Sequence, residues 1–339
     1  MSAPFVQTLD SFMQFTENNQ SKYQRFGGAD CKECPRYKTC LIKSKNSYIE
    51  TVLHLNENET RHPGLLNVVK RRSFLLSMIP AVLYKKAWGM FSPHLACPFN
   101  SKVIFDNLEA INKTYSLFSD EDSKLVYLNV LMYRITLETD YILRAYSKLP
   151  EYFIPGFCSN VNEIYVDCGA YDGDSFISCC QNNVPPRKAY LFEPDHENVR
   201  KLKDKVFQFP NSEIHVIDKG VYCKTGKLFF TQGMQTSSYL SEVMIDGSEE
   251  IDVTSIDDAV SDEVTFIKMD IEGSEQDALL GAQEHIRKTY PKLAICIYHR
   301  IEDLWEIPLM IQKLFPEYSH FELHHHSTVF TDTVLYVHR

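Results

Sequence analysis

From residue 162 to the last residue, short apolar runs alternate with helix-like segments, and no other feature narrows the fold as much. Seven runs have strand length and a β-branched or aromatic content: "EIYVD" (163–167), "KAYLFEP" (188–194), "EIHVIDKGV" (213–221), "VTFIKMD" (264–270), "KLAICIYH" (292–299), "HFELHHH" (320–326) and "TVLYVHR" (333–339). Helices are expected after the first, second, fourth and fifth. Strands apolar on both faces and separated by helices need a mostly parallel sheet covered on each side, an α/β doubly wound, Rossmann-like fold. The last two runs have no helix between them and predict an antiparallel hairpin at one edge.

The front of the chain reads differently. Residues 1–118 are irregular and helical, with few strand-like alternations. "SDEDSKLVYLNVLMYRITLETDYILRAY" (119–146) then predicts one amphipathic helix, capped by Ser119 or Asp120, with Leu125, Leu128, Met132, Ile135 and Ile142 at helical spacing. It ends before Pro150. The expected division is a mainly helical region over 1–118 and a second domain over 119–339, of which 119–160 form a lead-in helix and linker. Charge follows the same division: residues 1–150 carry 19 Lys and Arg against 14 Asp and Glu, and the remainder 16 against 31.

A net charge of −10 argues against nucleic acid as the main partner. The start "MSAPFVQTLDSFMQF" lacks the basic and apolar blocks of a signal peptide, and "SFLLSMIPAVLY" (73–84) is too short to span a bilayer and contains Pro80. A soluble, cytoplasmic protein without a membrane span is expected. Ten cysteines at scattered spacings, with Cys179 and Cys180 adjacent, do not form a secreted disulfide framework. "CKECPRYKTC" places Cys31, Cys34 and Cys40 close enough to hold zinc or an iron–sulfur cluster, with Cys97 or His94 as a fourth ligand; unligated thiols in a turn are the alternative. Lys70, Arg71, Arg72, Lys85 and Lys86 form a basic cluster that a solvated helix face or packing against the acidic second domain explains, recognition of a phosphate or acidic sugar on the acceptor being the alternative.

The chemistry concentrates in "DCGAYDGDSF" (167–176), a glycine turn between the first strand and its helix. Such a turn lets backbone approach a ligand and offers the N–H groups of a helix start. It lacks GxGxxG spacing, its aspartates would repel a pyrophosphate, and the order of a calcium loop is missing. A cationic sulfonium cofactor suits it better. Glu193, at the end of the second strand and about twenty residues on, can bind two ribose hydroxyls. "KMDIEG" puts Asp270 and Glu272 at the carboxyl end of a strand, where the pair can bind a metal, position an acceptor hydroxyl or take its proton. Ser274 or Asp270 can cap the helix that follows. His299, ending "AICIYH", is a candidate general base.

"YVDCGAYDGDS", "AYLFEPD", "IDKGVY", "VTSIDD", "FIKMDIEGSEQDALLGAQ", "AICIYHR" and "ELHHHS…TVLYVHR" occur in the order seen in the FkbM family of S-adenosylmethionine-dependent methyltransferases, and the chain resembles that family from about residue 119 onward. The resemblance implies a class I methyltransferase fold, a seven-stranded sheet with one antiparallel strand, and O-methylation of a sugar, polysaccharide precursor or secondary metabolite. It also implies that Asp167, Gly169 and Gly173 line the methionine part of the cofactor with Tyr171 and Asp172 nearby. Asp218, Gly220 and Val221 would lie under the adenine, although core packing accounts equally for Val221. Ser237 and Ser238 would lie near the cofactor or acceptor, and His326 is the histidine of the triplet favoured for the acceptor site. A nicotinamide-dependent oxidoreductase and a non-catalytic binding or assembly protein are the competing readings.

Overall fold

The computed structural model describes residues 8–23, 101–136, 138–158, 160–231, 239–241 and 249–339. They pack as two units. The first takes the described residues up to Ser147 with Arg300–Trp305 and Leu323–Thr333; the second takes Lys148–His299, Glu306–Glu322 and Val334–Arg339. None of the described helices is long and apolar enough to cross a membrane.

In the first unit the helices are α1 (Leu9–Tyr23), α2 (Ser101–Asp106), α3 (Leu108–Leu117), α4 (Glu121–Thr136) and α5 (Thr139–Ala145). Asp120 caps α4 as expected: its carboxylate accepts the Ser123 N–H at 2.7 Å and the Ser123 hydroxyl at 2.6 Å. Two expectations are corrected. Helix α4 is buried on every side from Tyr127 to Thr136, because α1, α2 and α5 all pack against it, so it is a core helix and not an amphipathic one. It also stops at Thr136, whose hydroxyl donates to the Met132 carbonyl at 2.9 Å and accepts the Glu138 N–H at 3.2 Å. A side chain that takes over backbone bonding ends the helix there, and the chain restarts as α5.

Seven strands, most of them within the second unit, are β1 (Ile164–Cys168), β2 (Lys188–Phe192), β3 (Glu213–Ile217), β8 (Phe266–Met269), β9 (Lys292–Cys296), β10 (His320–His325) and β11 (Thr333–His338). They form one sheet in the order β10-β11-β9-β8-β1-β2-β3. Neighbours from β9 to β3 are parallel, and β11 is antiparallel to β9. The Ser319 N–H meets the His338 carbonyl at one end of the last hairpin and the His326 N–H meets the Asp332 carbonyl at the other, so β10 and β11 are antiparallel. Helices α6 (Asp174–Asn182), α7 (His196–Val206), α9 (Glu275–Leu280), α10 (Gln283–Thr289) and α11 (Asp303–Leu314) follow the four strands predicted to precede helices. Strands β1, β2, β8 and β9 are apolar because both their faces are covered, and Tyr165 of β1 stacks on Phe266 of β8 with ring centres 5.2 Å apart.

The run 213–221 is two strands rather than one. The Lys219 N–H bonds back to the Ile217 carbonyl at 2.9 Å, a tight turn that ends β3 and sends Gly220 and Val221 into a second sheet as β4. That sheet has the order β4-β7-β5-β6, with β5 (Gly226–Thr231), β6 (Tyr239–Ser241) and β7 (Glu249–Thr254), and α8 (Ile256–Ala259) leads out of it.

The chain leaves β1 toward β2 and β3, then returns to place β8 on the other side of β1. The carboxyl ends of β1 and β8 therefore flank the point where strand order reverses, the position at which such sheets leave a crevice.

Candidate active site

The turn leaving β1 is shaped by the turn leaving β8. Gly169 has φ 85°, and a Cβ on it would stand 2.0 Å from the Asp270 carbonyl oxygen, so no other residue fits there. The N–H groups of Gly169 and Ala170 both reach the Phe192 carbonyl at the end of β2, at 3.1 and 2.9 Å. Tyr171 and Gly173 also have positive φ, 48° and 92°, and Gly173 precedes α6 as its N-cap residue. Tyr171 is exposed.

Asp167 is fully buried. It accepts the Tyr165 hydroxyl at 2.8 Å and the Ser175 hydroxyl at 2.5 Å, and its other oxygen lies 3.0 Å from Lys268 Nζ. Lys268 also donates to the Gly169 carbonyl at 2.7 Å and sits over the Tyr152 ring at 5.1 Å. Burial pushes its ammonium toward neutrality, but Asp167 and Asp270 outweigh that and hold it charged. Asp172 pairs with Lys205 at 2.6 Å. The negative charge that the sequence puts in this turn is thus largely matched by two lysines, and Asp167 fixes the turn instead of presenting a free carboxylate.

Glu193 is buried and joins three segments. One oxygen accepts the Tyr171 N–H at 2.9 Å; the other accepts the Asp195 N–H at 3.0 Å and the Asn198 amide at 3.4 Å. Burial raises its pKa and these bonds only partly offset the rise. A carboxylate offers about four lone-pair directions, so capacity for a diol hydroxyl remains.

A second cluster gathers at the ends of β8 and β9. His299 is 5% exposed, with Nε2 at 3.2 Å from Asp270 and 3.5 Å from Glu272, and Nδ1 at 3.0 Å from Glu275. These are close charge contacts without hydrogen-bond alignment, since neither ring nitrogen has a hydrogen-bond partner. Burial disfavours the imidazolium, but Glu275, Asp270 and Glu272 outweigh it and raise the pKa well above the ordinary value. This field favours the protonated ring, whereas a general base at this position needs the neutral one. Asp270 accepts the Tyr152 hydroxyl at 2.9 Å and the Tyr298 hydroxyl at 3.1 Å. Burial would raise its pKa, yet His299, Lys268 and Tyr152 hold it below the usual carboxylate range.

The cap expected at Ser274 or Asp270 is not made. Ser274 occupies the position before α9 with no side-chain bond, while Glu275 Oε1 accepts the Ile271 N–H at 2.9 Å and fixes the tight entry instead. Glu272 in that entry has φ 58°. Asp218 is exposed and contacts His196 Nδ1 at 3.0 Å, while Gly220 and Val221 are buried in β4. His326 belongs to the first unit, half-buried, its ring 6.0 Å from that of His324. Ser237, Ser238, Cys31, Cys34, Cys40, Cys97, His94 and the basic cluster lie outside the described residues. Tyr152, Lys268, Glu275 and Tyr298 join the site without having been singled out in the sequence. Lys268 had a readable signal: a lysine inside an otherwise apolar strand must find a buried partner.

Residues 167–328 match the methyltransferase FkbM domain model. The chain carries an FkbM methyltransferase domain. It is similar to the crystal structure of methyltransferase FkbM from Methylobacillus flagellatus KT, with 31% identity over 70% of this chain and 60% of that one and a TM-score of 0.60. The chain thus spans about three fifths of the length of that FkbM protein. Lower similarity is found to an rRNA methylase from Streptococcus thermophilus (12% identity, 53% of this chain, 87% of that one, TM-score 0.36). The same holds for SMU.1697c, a putative methyltransferase from Streptococcus mutans in complex with SAH (12% identity, 53% of this chain, 90% of that one, TM-score 0.33). No curated protein matches the chain. Both turns described above fall in the FkbM domain, as do Glu193, Asp270, Glu272, Glu275 and His299; Tyr152 lies before it.

Proposed function

We propose that the chain transfers a methyl group from S-adenosylmethionine to a hydroxyl of a sugar, polysaccharide precursor or secondary metabolite. The observation that carries this reading is the contact of the two turns in an FkbM domain: the glycine turn after β1 touches the backbone of Asp270, at the head of the carboxylate–imidazole cluster. The residues present fit the cofactor. Gly169 lets the turn close onto the backbone at the end of β8, and Glu193 stands at the end of the neighbouring strand for a ribose diol. Bound there, the cofactor would supply a methyl group on a sulfonium, which leaves readily as a neutral thioether.

The chain's own task is alignment and proton removal. Asp270 is committed to two tyrosine hydroxyls and is a weak base. Glu272, whose side chain is 24% exposed, is the carboxylate that accepts the acceptor's proton as the new C–O bond forms and the C–S bond breaks. Calorimetric titration with S-adenosylmethionine tests the first half: saturable binding is expected, weakened by Glu193→Gln. Formation of S-adenosylhomocysteine with hydroxyl-bearing glycans tests the second. A flat isotherm with folded protein would remove the reading; binding without turnover on any hydroxyl acceptor would leave a binding protein on the same fold.

A further inference from the structure

Three carboxylates surround one buried imidazole at the ends of β8 and β9, and this arrangement lacks the geometry of hydrogen-bonded ion pairs. One donor atom from each of Asp270, Glu275 and His299 lies within 4.8 Å of the other two. Nε2 stands 3.2 Å from Asp270 and 3.5 Å from Glu272, Nδ1 stands 3.0 Å from Glu275, and neither ring nitrogen has an aligned hydrogen-bond partner. Charge-assisted hydrogen bonds close to about 2.7–2.9 Å. Donors around a first-row cation at roughly 2.0–2.2 Å stand about 3–3.5 Å apart; Nε2 meets that spacing to Asp270 at 3.2 Å, and the three donors all lie within 4.8 Å of one another.

Two further features call for a cation. Glu275 is 1% exposed; its Oε1 holds the Ile271 N–H, but its Oε2 is buried without a partner. A buried carboxylate oxygen left so is costly unless positive charge faces it. Lys268 is already held by Asp167 and the Gly169 carbonyl, and the His299 ring approaches Oε1, leaving Oε2 unmatched. Asp270, in turn, is oriented by the hydroxyls of Tyr152 and Tyr298, the kind of outer-layer support that metal-binding carboxylates have.

We propose that Asp270, Glu275 and His299 form a binding site for a divalent first-row cation, with His299 as a neutral nitrogen ligand. One nitrogen and two carboxylate oxygens suit hard to borderline cations such as Mn2+, Fe2+ or Co2+ over soft ones. Three protein ligands leave coordination positions open. That an acceptor hydroxyl fills one of them rests on the methyl-transfer reading; the cation site itself does not.

Mn2+ is the probe of choice, because the thiols of "CKECPRYKTC" would compete for zinc but bind manganese poorly. Chelator-stripped full-length protein, with no cofactor added, is titrated with Mn2+ while free ion is followed by electron paramagnetic resonance. One saturable equivalent is expected, weakened more than about tenfold in Glu275→Gln and in His299→Gln. Should either variant misfold, pulsed resonance on the wild-type complex reads the site directly through the nitrogen coupling of a bound imidazole. Absence of stoichiometric binding, absence of nitrogen coupling, or binding indifferent to both substitutions in folded protein overturns the proposal. None of these readouts involves S-adenosylmethionine, so failure here is separate from failure of the proposed activity.

Discussion

Lys268 decides more of this site than any residue whose chemistry is evident from the sequence. It lies 2% exposed on β8 between the carboxylate that anchors the glycine turn and the ring of Tyr152, whose hydroxyl holds Asp270. Replacing it with methionine leaves Asp167 charged, buried and uncompensated. Loss of one partner of such a pair costs about 3–5 kcal/mol, whereas removing both charges together costs much less. Lys268→Met is therefore expected to lower the urea midpoint sharply, and Asp167→Asn combined with Lys268→Met to recover most of the loss. Equal destabilisation in the single and double variants would show that the pair does not act as one unit. Sequence reasoning finds Asp167, Glu193, Asp270 and His299 because each ends a strand, where ligands collect. It passes over Lys268, Glu275 and Tyr152 because their partners are distant in sequence, and a buried charge shows its purpose only when the partner is in place.

Among the elements, the legible ones announce themselves locally. Asp195 caps α7, as a short acidic side chain ahead of a helix can: its carboxylate accepts the Asn198 N–H at 2.9 Å, and its own N–H bonds Glu193. Asp195→Ala is expected to cost about 1 kcal/mol in urea unfolding, a typical cap loss. Helix α7 begins immediately after the Glu193 loop, so the same change should also weaken ligand binding there. A cap loss with binding unaltered would show that the loop keeps its shape without the helix start. What escapes a sequence reading is where one hydrogen bond redirects the chain. Thr136 ends α4 through its hydroxyl, and Lys219 ends β3 through a backbone turn; apolar periodicity continues across both points, so pattern alone runs the elements together.

At the scale of the whole molecule, the alternation of strands and helices after residue 162 carries the parallel sheet and its antiparallel edge, because only covered strands can be apolar on both faces. The small second sheet was not legible, since β4 has two residues and β6 three, and Glu249, Glu250 and Asp252 break the apolar pattern of β7. The edge hairpin holds a group whose protonation bears on stability. His325 is fully buried, with Nδ1 2.8 Å from the Thr333 hydroxyl, in the same unit as Arg134 and His326. Burial, with His326 and Arg134 adding to it, brings its pKa down to about 3 from 6.5. The unfolded chain takes up this proton near pH 6.5 and the folded chain does not, so the stabilisation is complete above pH 6.5. It declines as the pH falls, by about 1.4 kcal/mol per pH unit, until the folded state also protonates near pH 3. Between pH 6.5 and 5 this one residue should remove about 2 kcal/mol from the stability of the wild-type protein. His325→Gln lacks the titrating ring and should show a shallower dependence over the same interval, whatever its stability at pH 7. Urea unfolding of both proteins across that range measures the difference, and identical slopes would mean that the proton is taken up elsewhere.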